Sequence, residues 1–393
     1  MNQHDLHQEW LDDFEIISHF DDSLVKSETE QLVQHPNFLR QLHELFDAVM
    51  PNQDNTDFIT LFLNKLRTAQ TIDDLQHFEL KFLQIAMAST LKQVETIGLD
   101  RLDPANNYLF ISNHRDILLD PMLLNWALLT QGFGSCHCAI GDNLLIDESG
   151  NRVARLNKCF AVLRSVKSPK AMVRALRTQS AFIRHLFFNK QGNIWIAQRE
   201  GRSKDNTDQT NPALIKMLGL GKPKEMGADE YLQHLRIVPV SLSYEWDPCD
   251  LQKARDLIEQ EQGEYVRAGL SDLQAVRDGL IGHKGRIVFN FDADFHKNSA
   301  LFTDYSTLTR AIDQSIQSRY RLFPVNYAAA ELLNNSVAST VAPESPDVTS
   351  QDIDQAKDAL IERLRDATPL ERERVLQSYA QPLLTFQSRH RTE

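Results

Sequence analysis

Hydrophobic positions in the first part of the chain recur every three or four residues. Phe38, Leu39, Leu42, Leu45, Phe46, Val49 and Met50 form one such stripe. Leu61, Phe62 and Leu66 form a second, and Phe78, Leu80, Phe82, Leu83, Ile85 and Ala86 a third. That spacing predicts amphipathic helices. No glycine precedes Gly98, which suits a helical layer and stops its last helix. Residues 1–95 are therefore expected to be an N-terminal helical region.

Beyond Gly98 the pattern shifts to short apolar runs. Tyr108–Ser112, Cys138–Ile140, Phe160–Leu163, Asn193–Ala197, Ile237–Ser241 and Arg286–Phe291 each read as a strand. Helical segments at Met122–Leu129 and about 169–187 fall between them. Strands alternating with helices predict an α/β fold: a mainly parallel central sheet flanked by helices, with an N-terminal helical region and a C-terminal helical extension. The α/β domain is expected over 96–333, with a helical insertion at about 250–285. Residues 334–393 are expected to be a linker, rich in Ser, Val, Ala and Pro over 334–350, and a charged helix at about 351–378. Pro239 predicts that its strand lies at an edge or bends.

Composition narrows the classes. The chain has 393 residues, 42% hydrophobic and 24% charged, which excludes a largely disordered protein. Its net charge of −12 argues against nucleic acid as a partner, while leaving room for a local basic patch. No stretch reaches the ~18–20 unbroken apolar residues of a membrane span. The acidic start, MNQHDLHQEWLDDF, has neither a basic nor an apolar leader region. A cytoplasmic protein is expected, with membrane contact peripheral and on the inner face. Residues 1–60 are acidic, so the N-terminal helices are expected to pack on the protein rather than lie on a bilayer. Cys136, Cys138, Cys159 and Cys249 are too sparse for a disulfide scaffold. Cys136-His137-Cys138 is too tightly spaced for a Cys-x-x-Cys zinc site, so no metal is expected.

The polar residues that follow the apolar strands carry the candidate chemistry, because ligands of open α/β sheets bind outside the carboxyl ends of the strands. Asn113-His114-Arg115-Asp116 leaves the first strand, with Asp120-Pro121 shortly after. A carboxylate there could fix the His114 tautomer and let the imidazole act as a general base on a hydroxyl. Asp116 or Asp120 could equally cap a helix that begins near Pro121. Gly141-Asp142-Asn143-Leu144 follows the next strand, and Arg164-Ser165 the one after. Arg164 suits a phosphate oxyanion held by paired hydrogen bonds, or a surface ion pair. Asp142 and Asn143 suit a turn or a substrate contact. Gln198-Arg199-Glu200-Gly201-Arg202-Ser203-Lys204 could cradle an anion, or be a solvated loop. The strand at Ile237–Ser241, with Tyr244 beyond it, reads as a wall of the site.

These four blocks, in this order, resemble the glycerolipid acyltransferases that carry an H-x-x-x-x-D motif, the family of glycerol-3-phosphate and 1-acylglycerol-3-phosphate acyltransferases. The matching stretches are Asn113–Pro121, Gly141–Leu144 with Phe160–Arg164, Glu200–Ser203, and Val238-Pro239-Val240, and the resemblance spans about residues 100–300. Two departures stand out. His114 and Asp120 are one residue further apart than the family motif, whose aspartate position by strict count is Leu119. Asp120 is the preferred partner of His114, with Asp116 the alternative. The third block also lacks one residue before Arg202, a loss that Arg199 or Lys204 could compensate.

The resemblance implies acyl transfer from a thioester, acyl-CoA or acyl-carrier protein, to a hydroxyl of a phosphorylated glycerol or lysolipid in phospholipid synthesis, with no cofactor. His114 would be the catalytic base, with Asp120 or Asp116 behind it. Asn113, Arg115, Asp142, Asn143, Arg164, Ser165, Arg199, Glu200, Gly201, Arg202, Ser203 and Lys204 would line the substrate site. No G-x-S-x-G elbow supports a covalent acyl-enzyme. Met122, Leu123, Leu124, Trp126 and Leu128 could line an acyl groove or be core. Another lipid acceptor, a thioesterase and a non-catalytic lipid-binding protein are the rival readings.

Overall fold

A computed structural model describes residues 11–145, 147–163, 168–189, 192–263, 269–333 and 348–390. Arg164, Ser165 and most of the expected linker at 334–350 lie outside the described residues. Five helices come first: α1 (Leu11–Ile17), α2 (Asp22–Leu32), α3 (Pro36–Val49), α4 (Thr56–Thr68) and α5 (Ile72–Met87). Their starts are written locally. The Asp21 side chain accepts from the Ser23 amide ahead of α2, and Thr71 and Asp74 form a reciprocal capping box on α5. Their apolar stripes meet in a small core around Phe46, Phe62 and Phe82.

Residues 91–97 depart from the expected helix and form a strand, β1 (Leu91–Ile97). Lys92 and Gln93 are exposed there, so the apolar alternation of a half-buried strand is blurred at this edge position. The remaining strands are β2 (Leu109–Ser112), β3 (Cys136–Gly141), β4 (Cys159–Val162), β5 (Asn193–Ala197), β6 (Ile237–Tyr244) and β7 (Gly285–Phe291). The seven strands make one sheet in the order β1-β7-β6-β2-β5-β3-β4. β2 to β6 run parallel, whereas β7 pairs antiparallel with β6 and parallel with β1. The fold is thus α/β with a mostly parallel sheet, and the carboxyl ends of β2 to β6 share one edge.

Pro239 sits inside the sheet rather than at its edge. Its missing N–H does no harm for a specific reason. A strand residue's N–H and C=O leave on the same side, and the Pro239 carbonyl accepts from Asp292 N at 3.0 Å, just past the end of β7. The β6–β7 ladder begins only at Val240, so no partner carbonyl waits opposite the proline nitrogen.

Helices α6 (Leu119–Thr130), α7 (Glu148–Leu156), α8 (Pro169–Phe188), α9 (Pro212–Leu220) and α10 (Ala228–His234) connect the parallel strands. The expected insertion is α11 (Asp250–Gln262) and α12 (Gly269–Ile281). Then come α13 (Tyr305–Ser318), α14 (Pro324–Leu332), α15 (Ser350–Arg363) and α16 (Pro369–His390). The single charged helix expected at 351–378 is two helices. Thr368 and Glu371 form a capping box and Pro369 takes the first helical position, so a new helix starts there. The sheet separates two large cores, and a third joins α14, α15 and α16 to Val288 of β7 and Ala254 of α11. The N-terminal helices pack against α7, α8 and α12. Among the described residues, no helix is long and apolar enough to cross a membrane.

Candidate active site

β2 ends at Ser112, and the chain stays non-helical until α6 begins at Leu119. The six-residue step from His114 to Asp120 is therefore set by the loop and not by helical spacing. The loop absorbs the extra residue through Asp116, whose Oδ1 accepts from Leu118 N at 2.9 Å and Leu119 N at 2.8 Å. Asp120, in the first turn of α6, then points back at the loop. Its Oδ2 lies 2.8 Å from His114 Nδ1. The same oxygen accepts from Arg115 N at 2.6 Å and Asp116 N at 3.1 Å. Its Oδ1 accepts from the Tyr244 hydroxyl at 2.8 Å. The carboxylate is fully buried yet has four donors, which satisfies the charge.

A carboxylate accepts only, so Nδ1 carries the imidazole proton and Nε2 keeps its lone pair. The His114 side chain is 15% exposed. Trp195 of β5 packs edge-on against its ring, with centroids 5.6 Å apart, and the indole N–H is fixed on Ser112 Oγ at 2.9 Å. Asp116 does not reach the imidazole. Burial and the neighbouring Asp120 charge push its carboxyl above the usual range, opposed by its backbone donors and the Arg202 guanidinium.

Two neighbours of His114 face away from the site. Asn113 lengthens the sheet ladder with its side chain, accepting from Leu242 N at 2.7 Å and donating to Leu242 O at 2.9 Å. The Arg115 guanidinium is buried in a two-pronged ion pair with Asp208 and lies over the Tyr320 ring at 5.5 Å. Both were expected at the substrate. Instead, each is committed to holding the loop in place.

The third block reaches the site from the end of β5. Ser203 N donates to His114 O at 2.7 Å, so the two loops are joined directly. Gly201 has φ +73°, the left-handed turn that brings Arg202 round, and its α-carbon faces open space. Glu200 is exposed. The two cations named as substitutes are paired elsewhere: Arg199 with Asp205 at 3.8 Å and Lys204 with Asp256 of α11 at 3.1 Å. Arg202 differs. Its Nη1 is buried and has no hydrogen-bond partner among the described residues, as is true of Ser203 Oγ. A buried guanidinium nitrogen without a partner is chemically able to receive an anion. Asp142 and Asn143 follow the end of β3, with the Asn143 side-chain nitrogen buried and without a hydrogen-bond partner among the described residues.

Sequence reasoning missed several residues that shape this edge. Lys253 of α11 is buried and donates to Arg115 O at 2.7 Å while paired with Asp247. Gly279 of α12 lets Asp116 approach, because a β-carbon there would lie 2.4 Å from Asp116 Oδ2. Met122, Leu123, Leu124, Trp126 and Leu128 belong to the core beneath α6 or pack on it.

Residues 93–214, which hold His114, Asp120, Trp195 and Arg202, match the protein family described as Acyltransferase. The segment is similar to that family, and the match spans less than half of the chain. Three of the four blocks that resemble the glycerolipid acyltransferases fall inside this segment, and Val238-Pro239-Val240 lies beyond it. No curated protein matches the chain. Among solved structures, the crystal structure of the 1-acyl-sn-glycerophosphate (LPA) acyltransferase PlsC from Thermotoga maritima is similar at 15% identity and a TM-score of 0.36, covering 75% of this chain and 94% of that one. Tyr244, Asp247 and Lys253 lie beyond the acyltransferase segment, so the candidate site draws on a larger part of the chain than the family match spans.

Proposed function

We propose that the protein moves a fatty acyl group from an acyl thioester to a hydroxyl of glycerol 3-phosphate or 1-acylglycerol 3-phosphate, as a step of phospholipid synthesis. The observation that carries this reading is a His114 imidazole held at Nδ1 by buried Asp120, on a loop joined by the Ser203 amide to the loop of Arg202, whose buried Nη1 has no partner among the described residues. The first supplies a base and the second a seat for the acceptor's phosphate.

His114 Nε2 takes the proton of the acceptor hydroxyl as its oxygen attacks the thioester carbonyl. The imidazolium that forms is stabilised by the Asp120 carboxylate. Collapse of the tetrahedral intermediate forms the ester, breaks the C–S bond, and returns the proton from Nε2 to the departing sulfur. The phosphate on Arg202 holds the hydroxyl in place, so much of the barrier is met by positioning. Arg164 would be a second phosphate ligand. A lysolipid acceptor resides in membranes, so we place the working protein on the inner membrane face as a peripheral visitor.

The test is thiol release from long-chain acyl-CoA, and separately from acyl-carrier protein, with and without each acceptor. Acceptor-dependent release yielding a new acylated lipid is expected. His114→Ala should lower turnover by about 100-fold or more while the protein stays folded. Arg202→Ala should raise the acceptor KM by roughly tenfold and spare the donor KM. Release without acceptor would replace transfer by hydrolysis, and turnover retained in His114→Ala would end the mechanism.

A further inference from the structure

We infer that Tyr244 is a positioning residue for the His114–Asp120 pair, acting through the carboxylate oxygen that the imidazole does not use. This rests on the general-base reading of His114.

The placement follows from strand geometry. Val240 pairs with Ser112 at the end of β2, and β6 continues four residues further, so Tyr244 overhangs the loop that carries His114. Side chains alternate along a strand. Val238, Val240, Leu242 and Tyr244 therefore face the same core as Leu119, Leu123 and Leu124 of α6. That face is the one on which Asp120 leaves the first turn of α6. The hydroxyl meets Asp120 Oδ1 at 2.8 Å, and Oδ1 has no other donor among the described residues. Burial and the Asp120 charge hold the Tyr244 hydroxyl well above its usual range, so it keeps its proton and stays a donor.

Asp120 is consequently gripped from both sides. Oδ2 is held by two backbone amides and the imidazole, and Oδ1 by the phenol. With only the first grip, the carboxylate could rotate about its Cβ–Cγ bond and the imidazole would follow. The phenol also draws charge towards Oδ1. Removing it concentrates charge on Oδ2 and favours the imidazolium, so the His114 pKa must rise.

The experiment compares the parent protein with Tyr244→Phe, which keeps the ring. The His114 imidazole is titrated by NMR without substrate, and acyl transfer is followed against pH. The variant should titrate roughly 0.5–1 unit higher, the acid limb of kcat/KM should move by the same amount, and kcat should fall about tenfold at unchanged donor KM. A merely structural tyrosine would lower the melting temperature and leave the imidazole titration where it was; that result overturns the inference. A shifted titration in a protein that transfers no acyl group upholds the positioning and removes the acyltransfer reading instead. If Tyr244→Phe fails to fold, Asp120→Asn must displace the ring-carbon signal next to the Tyr244 hydroxyl, and an unmoved signal overturns the inference.

Discussion

Asp116 and Asp120 are four residues apart and end in different roles. Sequence brought both near His114; only the backbone decides between them, because the residue that takes up the slack must turn its carboxylate onto the chain. Asp116 does so, and Asp120 is left for the imidazole. The His114–Asp120 contact was legible because both residues follow the apolar strand that ends at Ser112. The burial of Arg115 was not legible, since its partner Asp208 is 93 positions away and nothing local marks the pair. Gly279 yields a prediction at this scale. Glycine in a helix is ordinarily worth less than alanine by ~1 kcal/mol, so Gly279→Ala would be expected to stabilise. Here the new methyl would strike Asp116 Oδ2, and the carboxylate cannot swing aside without giving up the two amides that hold its Oδ1. The sign should invert: Gly279→Ala is expected to cost about 1–3 kcal/mol in urea unfolding and to lower turnover, because the loop bearing His114 must shift.

Six of the seven strands stood out in the sequence as apolar runs, because a strand covered on both faces has little polar content. β1 escaped because its edge position leaves Lys92, Gln93 and Glu95 among its seven residues. The break between α15 and α16 was written in Thr368-Pro369 but is visible only once the Glu371 cap is noticed. The link from α1 to the sheet makes a prediction of its own. His19, just beyond α1, stands edge-on to His137 of β3 with ring centroids 4.5 Å apart. Burial, and then the Lys158 charge, lower its pKa from 6.5 to about 4. Folding thus holds it neutral, while the unfolded chain takes up a proton below about pH 6.5. Its contribution is complete above that pH and is lost as pH falls towards 4, up to about 3 kcal/mol. The melting temperature should therefore drop between pH 7 and pH 4.5, and His19→Asn should flatten that drop. An equal drop in the variant would place the acid sensitivity elsewhere.

Across the whole molecule, the division into helical region, α/β domain and C-terminal extension was drawn from the apolar pattern along the chain, and that pattern does not report how the parts pack. α15 and α16 cover α14, and their apolar residues share a core with β7 and α11. Tyr379 of α16 accepts from Asp247 N at 2.9 Å and donates to Asp250 at 2.9 Å. Asp247 pairs with Lys253, and Lys253 holds the Arg115 carbonyl beside His114. A chain ending at residue 333 would expose Phe323 and Ala328 to Ala330 and cut that relay. It is expected to be insoluble or to lose cooperative unfolding in circular dichroism; a soluble, cooperatively folding product would show the C-terminal helices to be an appendage.

The strand order has a consequence in time. β2, which carries His114, pairs only with β5 and β6, and both are made later. β3 is next in sequence yet leaves a slot, and β5 must slide between the two. Until it does, His114 O lacks the Ser203 amide and Arg115 lacks Asp208. The loops that carry His114 and Arg202 are thus joined only once β5 is seated between β2 and β3.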